Sequence, residues 1–189
     1  MSQWALQGYA ARWNRLVWLG SGGPPHVNLP GCFTWDPEAV GLQFWHRDSR
    51  CYGTARELGL SVWQDSEGLA FEIAKPVLDA RSRDLFSLLQ GVGRGDYCEC
   101  SIGFGVMDGT SAIRDGRRCT LIRQAFVSEI SICPRGACPD TGAWLVGNVA
   151  NPELLPAKIR PVVEAFYQAA PLRTRRNPSQ TRAPGELVA

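Results

Sequence analysis

The chain has 189 residues, of which 44% are hydrophobic and 20% are charged, as expected for one globular domain with a hydrophobic core. Its formal charge of +2 is uneven, because residues 171–189 carry four arginines and one glutamate and the preceding residues therefore sum to −1. This balance excludes a body with the clustered lysine and arginine of a nucleic-acid surface, and no apolar run approaches the ~20 residues that span a bilayer.

The first fifty residues predict two strands separated by a loop. Trp4–Asn14 has the composition of a strand, and Gly20–Pro25 combines flexible and helix-incompatible residues, which predicts a loop that also holds His26. Leu42–His46 alternates as a strand does, so that its first, third and fifth residues, His46 among them, share one face.

The middle of the chain predicts a pair of strands and then a helix. Tyr52–Trp63 and Leu69–Ala74 are the predicted strands, joined by a turn over Asp65–Gly68. Asp79–Gln90 is the predicted helix, because Leu85, Leu88, Leu89 and Val92 follow helical spacing. Glycines 91, 93 and 95 are expected to end it.

The last third predicts further strands, a helix and a tail. The predicted elements are a strand over Tyr97–Val106, a turn over Asp115–Arg117, one long strand or two over Thr120–Cys133, and a helix over Lys158–Ala169 with Pro161 in its first turn. We expect one domain over residues 1–170 and a disordered basic tail over 171–189, which is rich in Pro, Arg, Ser and Thr.

The order of these elements predicts a fold that is mainly β with helices. Strands outnumber helices, which favours a closed antiparallel barrel flanked by one or two helices over repeated βαβ units. The N-terminus lacks the basic and apolar regions of a signal peptide, so we expect the protein to act where it is made. Seven cysteines without a Cys-x-x-Cys pair predict reduced, buried thiols, and neither a metal nor a cofactor.

Only two histidines offer an imidazole for catalysis. His26 lies in the Gly/Pro loop and is predicted to be a solvent-exposed bystander. His46 ends an apolar run and precedes a polar stretch, so its ring is expected at the rim of a strand, where a general base is useful.

Two further residues complete a candidate catalytic set. Ser101 lies on the opposite strand face from Cys98 and Cys100, and Gly103 beyond it would let the backbone approach a substrate closely. Glu129 interrupts the strand-like run Val127–Cys133, where it either faces solvent or lies beside His46 and orients the ring.

Short segments along the chain resemble the caudovirus prohead protease family. They lie in one order between residues 5 and 140: Gly8–Ala10, Pro30–Phe33, Phe44–Asp48, Tyr52–Ala55, Gly68–Leu69, Ser101–Phe104 and Glu129–Ile132. The resemblance implies a serine protease with Ser101 as nucleophile, His46 as base and Glu129 as third member. It also implies a barrel similar to that of the herpesvirus maturation proteases.

The same resemblance implies where the protein acts and on what. Its substrate would be scaffold or major capsid protein, or the chain itself, inside the immature prohead in the host bacterial cytoplasm. Self-association is a further expectation. The family usually carries an aspartate directly after the histidine, where this chain has Arg47 and the aspartate comes second, at Asp48. On a strand Asp48 would share the face of His46, so it competes with Glu129 as the orienting carboxylate. Arg117–Arg118 is a candidate for the arginine loop of the herpesvirus enzymes, with a surface turn as the plainer interpretation.

Three other functions remain open at this point. A catalytically inactive barrel that binds capsid or scaffold subunits would not bring Ser101, His46 and Glu129 together. A nucleic-acid-binding barrel would depend on the arginine-rich tail. A cysteine protease would use Cys100, although Cys100 and Ser101 face opposite sides of one strand and only one of them can meet His46.

Overall fold

The structure, a computed structural model, describes residues 5–19, 23–73, 82–96, 98–146, 155 and 157–173. Within these ranges a short 3₁₀ turn covers Asp48–Arg50. The strands and α-helices are β1 (Leu6–Arg12), β2 (Leu16–Val17), β3 (His26–Asn28), β4 (Phe33–Trp35), β5 (Gly41–Phe44), β6 (Cys51–Thr54), α1 (Ala55–Leu58), β7 (Leu60–Gln64), β8 (Gly68–Ile73), α2 (Ser82–Arg94), β9 (Glu99–Arg114), β10 (Arg117–Cys133), β11 (Gly142–Leu145) and α3 (Arg160–Arg173).

The strands form two sheets. The first is antiparallel and has the order β11-β1-β8-β7. The second is organised around β10, which pairs with β9 in the antiparallel sense and with β3, β4 and β5 in the parallel sense, one after another along its length. β2 extends this sheet beside β3, and β6 extends it beside β5.

The predicted fold class is confirmed in its mainly β content, whereas the predicted closed antiparallel barrel is wrong. Over the described part of the chain neither sheet closes on itself. The three short parallel strands occupy one edge of β10 and β9 occupies the other, so among the described residues no strand pairing links the second sheet to the first. The two sheets are joined by side-chain packing instead.

One hydrophobic core lies between the sheets and includes side chains of both. Phe71 and Leu69 of β8 belong to the same buried cluster as Leu42 of β5 and Ile130 of β10. Leu88 of α2 also belongs to it. Each large apolar side chain buried in this way contributes about 1.5–3 kcal/mol to folding.

The hairpin of β9 and β10 is the longest element pair and carries the candidate site. Asp115 and Gly116 at its tip have φ values of 50° and 72°, as a two-residue hairpin turn requires, so the predicted turn is confirmed. β10 is one strand rather than two, and β9 runs to Arg114, beyond the predicted end at Val106.

Three other local predictions need correction. The strand predicted over 42–46 ends at Phe44. The strand predicted over 52–63 is divided by α1, which begins because Thr54 and Glu57 form a reciprocal capping box. The helix predicted over 79–90 runs through two of its glycines to Arg94 and is followed by Gly95, whose φ is +80°.

The second predicted helix, α3, packs on the outer face of the first sheet. Its Phe166 makes edge contacts with Tyr9, Trp63 and Trp144 at centroid distances of 5.6, 5.8 and 5.0 Å. Pro161 occupies its first turn as predicted. The tail predicted over 171–189 lies outside the described residues from position 174 onward. Among the described helices, none has the length and apolar composition needed to cross a membrane.

Candidate active site

His46 and Glu129 form the central pair of the site. The His46 Nδ1 and Glu129 Oε1 atoms are 2.6 Å apart. The imidazole side chain is 42% exposed, whereas the glutamate side chain is only 10% exposed. Of the two positions predicted for Glu129, the structure therefore shows the one beside His46, and the solvent-facing alternative is wrong.

The backbone at His46 differs from the predicted strand. Trp45 and His46 both have φ of +55°, a left-handed conformation that residues with a Cβ rarely adopt. Two long-range bonds to β10 hold it, because the Trp45 N–H donates to the Ile132 carbonyl at 3.2 Å and the His46 N–H donates to Ser131 Oγ at 2.9 Å. The chain thus leaves β5 after Phe44 and directs the imidazole over β10.

Gly103 provides the space that the Glu129 side chain occupies. The two residues are paired across β9 and β10. A Cβ atom on residue 103 would lie 2.4 Å from Glu129 Oε1 and 2.9 Å from its Cγ. The structure therefore gives this glycine an internal role, accommodation of the carboxylate, while its role in the close approach of a substrate stays a prediction.

Ser101 lies on the same strand face as this pair. It is paired with Ser131 of β10, so Ser101 and Gly103 face Ser131 and Glu129 on the neighbouring strand. Ser101 is 7% exposed. Both Ser101 and His46 line a cleft of about 1120 Å³. Ser101, His46 and Glu129 thus lie in one region. The alternative of an inactive capsid-binding barrel predicts that these three residues lie apart.

The walls of the cleft come from well-separated segments. Exposed Trp18, Leu19 and Trp45 supply its apolar rim. Arg135 and Asp140, from the segment after β10, supply charge, as does the ion pair between Lys158 and Glu99. The sequence did not predict these residues as part of a cleft, because no local sequence pattern distinguishes them from other surface residues.

The pKa of His46 is raised above its ordinary value. The hydrogen bond to Glu129 is the main cause, the negative charge of the carboxylate adds to it, and partial burial of the ring acts in the opposite direction. Because Nδ1 contacts Glu129, Nε2 is the ring nitrogen that is able to accept a proton from a nucleophile.

His26 contradicts the prediction of an exposed bystander. It begins β3 and is only 6% exposed, and its ring contacts Phe104 with centroids 5.4 Å apart. Burial lowers the pKa of His26, which keeps the ring neutral. The ring of His26 therefore packs against the β9–β10 hairpin and is not exposed to solvent.

The competing site residues take other positions. Asp48 lies in the exposed 3₁₀ turn and its carboxylate accepts a hydrogen bond from Gln43 Nε2 at 3.3 Å, while Glu129 contacts His46. Arg117 lies at the start of β10 with its guanidinium 5.6 Å from the centre of the Trp18 ring. Arg118 is exposed beside it.

Cys100 is unsuited to act as a nucleophile. Its side chain has no exposed surface and belongs to the hydrophobic core between the sheets. Burial raises the pKa of the Cys100 thiol well above its usual value, which disfavours the reactive thiolate. The predicted opposition of Cys100 and Ser101 on one strand thus leaves Ser101 as the residue that faces the cleft.

Ser131 is a residue of the site to which the sequence analysis gave no role. Its Oγ donates to Glu129 Oε2 at 2.7 Å and accepts the His46 N–H. The available signal was its spacing, because residues two apart on a strand share a face and Ser131 follows Glu129 by two.

Comparison with known proteins places the chain among proteases. A family model described as caudovirus prohead serine protease matches residues 1–151. No curated protein matches the chain. Among solved structures, the herpesvirus protease of KSHV in complex with a hexapeptide phosphonate inhibitor is similar with a TM-score of 0.42 and 12% identity, over 97% of this chain and 83% of that one.

Proposed function

Because the chain belongs to the caudovirus prohead serine protease family, we propose that it is a serine endopeptidase in which Ser101 is the nucleophile, His46 is the general base and Glu129 orients the imidazole. The observation that carries this assignment is the 2.6 Å contact between His46 Nδ1 and Glu129 beside a cleft that Ser101 also lines. A base held by a carboxylate near a serine is the arrangement that acyl transfer requires.

The proposed reaction has two stages. His46 Nε2 takes the Ser101 proton as the hydroxyl oxygen attacks the substrate carbonyl, and the imidazolium then gives that proton to the leaving amine as the peptide bond breaks. Water hydrolyses the acyl-enzyme with the same base. Glu129 holds Nδ1–H throughout and stabilises the imidazolium, which is consistent with the raised pKa of His46.

The proposed substrate is a protein of the immature phage shell. The family of prohead proteases implies scaffold or major capsid protein, and cleavage of the chain itself is a further part of the proposal. The cleft volume of about 1120 Å³ has room for several residues of an extended peptide. The proposed location is the prohead in the host bacterial cytoplasm.

Substitution of the nucleophile tests the function directly. The parent chain and Ser101→Ala would each be co-expressed with the major capsid and scaffold proteins of the same phage, and all masses followed by mass spectrometry. We expect cleavage by the parent and a loss on the order of 10⁶-fold in the variant, because a triad loses nearly all its chemistry with its nucleophile. A fluorophosphonate reagent, which labels activated serines, should modify the parent at Ser101 and leave the variant unlabelled.

A matched control distinguishes the effect of removing Ser101 from the effect of removing any other serine of the same strand. Ser111 lies on the exposed part of the same strand β9, and Ser111→Ala should cleave and label as the parent does. Equal cleavage by the parent and Ser101→Ala would contradict the assignment of the nucleophile. Normal shell assembly with no cleavage by either would favour the inactive assembly factor.

A further inference from the structure

Ser131 connects the base and the carboxylate of the proposed site through one hydroxyl group. The residue lies in β10 with no exposed surface, two positions after Glu129 and directly across from Ser101. Its proton goes to Glu129 Oε2 at 2.7 Å, and its oxygen accepts the backbone N–H of His46 at 2.9 Å. The hydroxyl thus has its single donor and one acceptor position engaged within the site.

These two bonds constrain different parts of the pair. With Oε2 bound to Ser131, the carboxylate of Glu129 directs its other oxygen, Oε1, to the imidazole at 2.6 Å. The bond from the His46 N–H holds a residue whose φ of +55° is unfavourable for a side chain with a Cβ. Without the Ser131 hydroxyl, the Glu129 carboxylate loses a hydrogen-bond donor and the His46 backbone N–H loses its acceptor.

We propose that Ser131 is a positioning residue of the protease, which fixes the Glu129 carboxylate and the His46 backbone relative to each other so that the imidazole stays aligned for Ser101. The proposal rests on the proposed function, because alignment matters only if His46 acts as the base. Ser131 itself touches neither the substrate nor the reacting atoms in this mechanism.

Two variants test the hydroxyl separately from the volume it occupies. Ser131→Ala removes the group, and Ser131→Cys keeps a side chain of similar shape with a weak donor and acceptor. Ser111→Ala is the matched control, since it removes an exposed serine from the other strand of the same hairpin. The full chain is used throughout, and folding of each variant is checked by near-ultraviolet circular dichroism.

The first measurement needs no substrate. In a Ser101→Ala background, which prevents self-cleavage, the ring resonances of His46 are titrated by NMR and assigned by their absence in His46→Ala. We expect Ser131→Ala and Ser131→Cys to lower the pKa of His46 toward its ordinary value, because the freed carboxylate weakens the bond that raises it. The far-downfield resonance of the Nδ1 proton should broaden or vanish in both variants and persist with Ser111→Ala.

Other charges in the cleft stay constant across these variants. The charged groups that face the cleft are Glu99, Arg135, Asp140 and Lys158, and those next to His46 in the chain are Arg47 and Asp48. None of them is bonded to Ser131 Oγ, whose partners are Glu129 and His46. A change in the titration of His46 therefore reports on the pair that Ser131 holds.

The second measurement follows the nucleophile. With Ser101 restored, the rate of fluorophosphonate labelling should fall roughly 10- to 100-fold in both Ser131 variants, the scale expected for a misplaced catalytic group. Labelling at the parental rate by a folded Ser131→Cys, or an unchanged pKa of His46 in both variants, would overturn the proposal. A parent chain that is not labelled at all would contradict the protease function, while the titration of His46 would still decide whether Ser131 positions the pair.

Discussion

At the scale of single residues, the carboxylate of Glu129 has a partner for each oxygen. Oε1 contacts the His46 ring and Oε2 accepts the Ser131 hydroxyl, and the side chain lies over the bare backbone of Gly103. Burial of a carboxylate destabilises a fold unless hydrogen bonds compensate for lost water. The His46 ring and the Ser131 hydroxyl supply that compensation, and the pairing of Glu129 with Gly103 leaves room for the carboxylate beside the imidazole.

Removal of the negative charge from Glu129 should lower both the rate and the pH at which activity appears. In the proposed mechanism His46 must be neutral to accept a proton, so activity should be lost as the pH falls through its raised pKa. In Glu129→Gln the main cause of that raised pKa is gone, so the acidic limb of kcat/KM should move to lower pH. The maximal rate should fall by about 10⁴-fold, as when a triad carboxylate is replaced by its amide.

The pH profile of kcat/KM on a capsid-derived peptide checks this expectation. Glu38→Gln, at an exposed glutamate remote from the cleft, should leave the profile as it is in the parent. An acidic limb at the same pH in Glu129→Gln would mean that Glu129 does not influence the group whose titration limits activity.

A methyl group at residue 103 should displace the carboxylate without altering any catalytic side chain. Gly103→Ala would place a Cβ 2.4 Å from Glu129 Oε1, so the oxygen has to move away from His46. We expect kcat to fall on the order of 10²-fold, the effect of a shift of about 1 Å in a catalytic group. Gly105→Ala is the control, because a Cβ there meets no atom within 4 Å. Equal activity of the two variants would argue against a tight fit at Gly103.

At the scale of secondary-structure elements, the hairpin of β9 and β10 determines which residues meet. A register of Ser101 with Ser131 and of Gly103 with Glu129 places four polar or small residues on one face. The opposite face carries Cys100 and Ile130 into the core. A slip of one residue would exchange the two faces, so burial of the apolar set also fixes the register of the site.

The helix α3 packs on the first sheet through buried apolar side chains, among which Phe166 contacts three aromatic rings. Phe166 is 1% exposed among Tyr9, Trp63 and Trp144. Phe166→Ala should lower the free energy of unfolding by about 3–5 kcal/mol, as expected for removal of a buried phenylalanine. Denaturant unfolding measures this change, and Gln168→Ala, on the exposed side of the same helix, should change stability by less than about 0.5 kcal/mol. A similar loss in both variants would show that helix content, rather than the aromatic contact, carries the stability.

At the scale of the whole molecule, the cleft is assembled from segments that are far apart in the chain. Leu19 precedes β3, His46 follows β5, Ser101 lies near the start of β9, and Asp140 and Lys158 come after the hairpin. The core between the two open sheets holds these segments in place. Such a site on a β-rich scaffold depends on global folding, so destabilising changes anywhere in the core should reduce activity as well.

Removal of residues 174–189 should leave peptide cleavage intact. All residues assigned to the proposed chemistry lie between positions 46 and 131, and the family match ends at residue 151. Cleavage rate and binding to a labelled DNA duplex would be measured for the full chain and the truncated chain. Strong DNA binding that disappears on truncation, with no cleavage by either chain, would favour the nucleic-acid-binding alternative.

Features that depend on neighbouring residues were predictable from the sequence. The turn at Asp115 and Gly116, the strands β1 and β8, the helical stripe of α2 and the position of Pro161 in α3 all follow from local spacing and turn chemistry. The resemblance to the family predicts Ser101, His46 and Glu129 as the catalytic set. Their roles remain part of the proposed function.

Features that depend on distant partners are visible in the three-dimensional structure and not in the sequence. The left-handed turn at His46 is held by β10, more than eighty residues away in the sequence. Position 103 requires a glycine because the Glu129 side chain occupies the space that a Cβ atom would fill. The burial of His26 and the open sheets in place of a barrel likewise follow from strand pairing. The alternation of apolar and polar residues along a strand predicts which face of the strand is buried. It does not predict which residues of other strands that face contacts, because those contacts depend on pairing between strands that are far apart in the sequence.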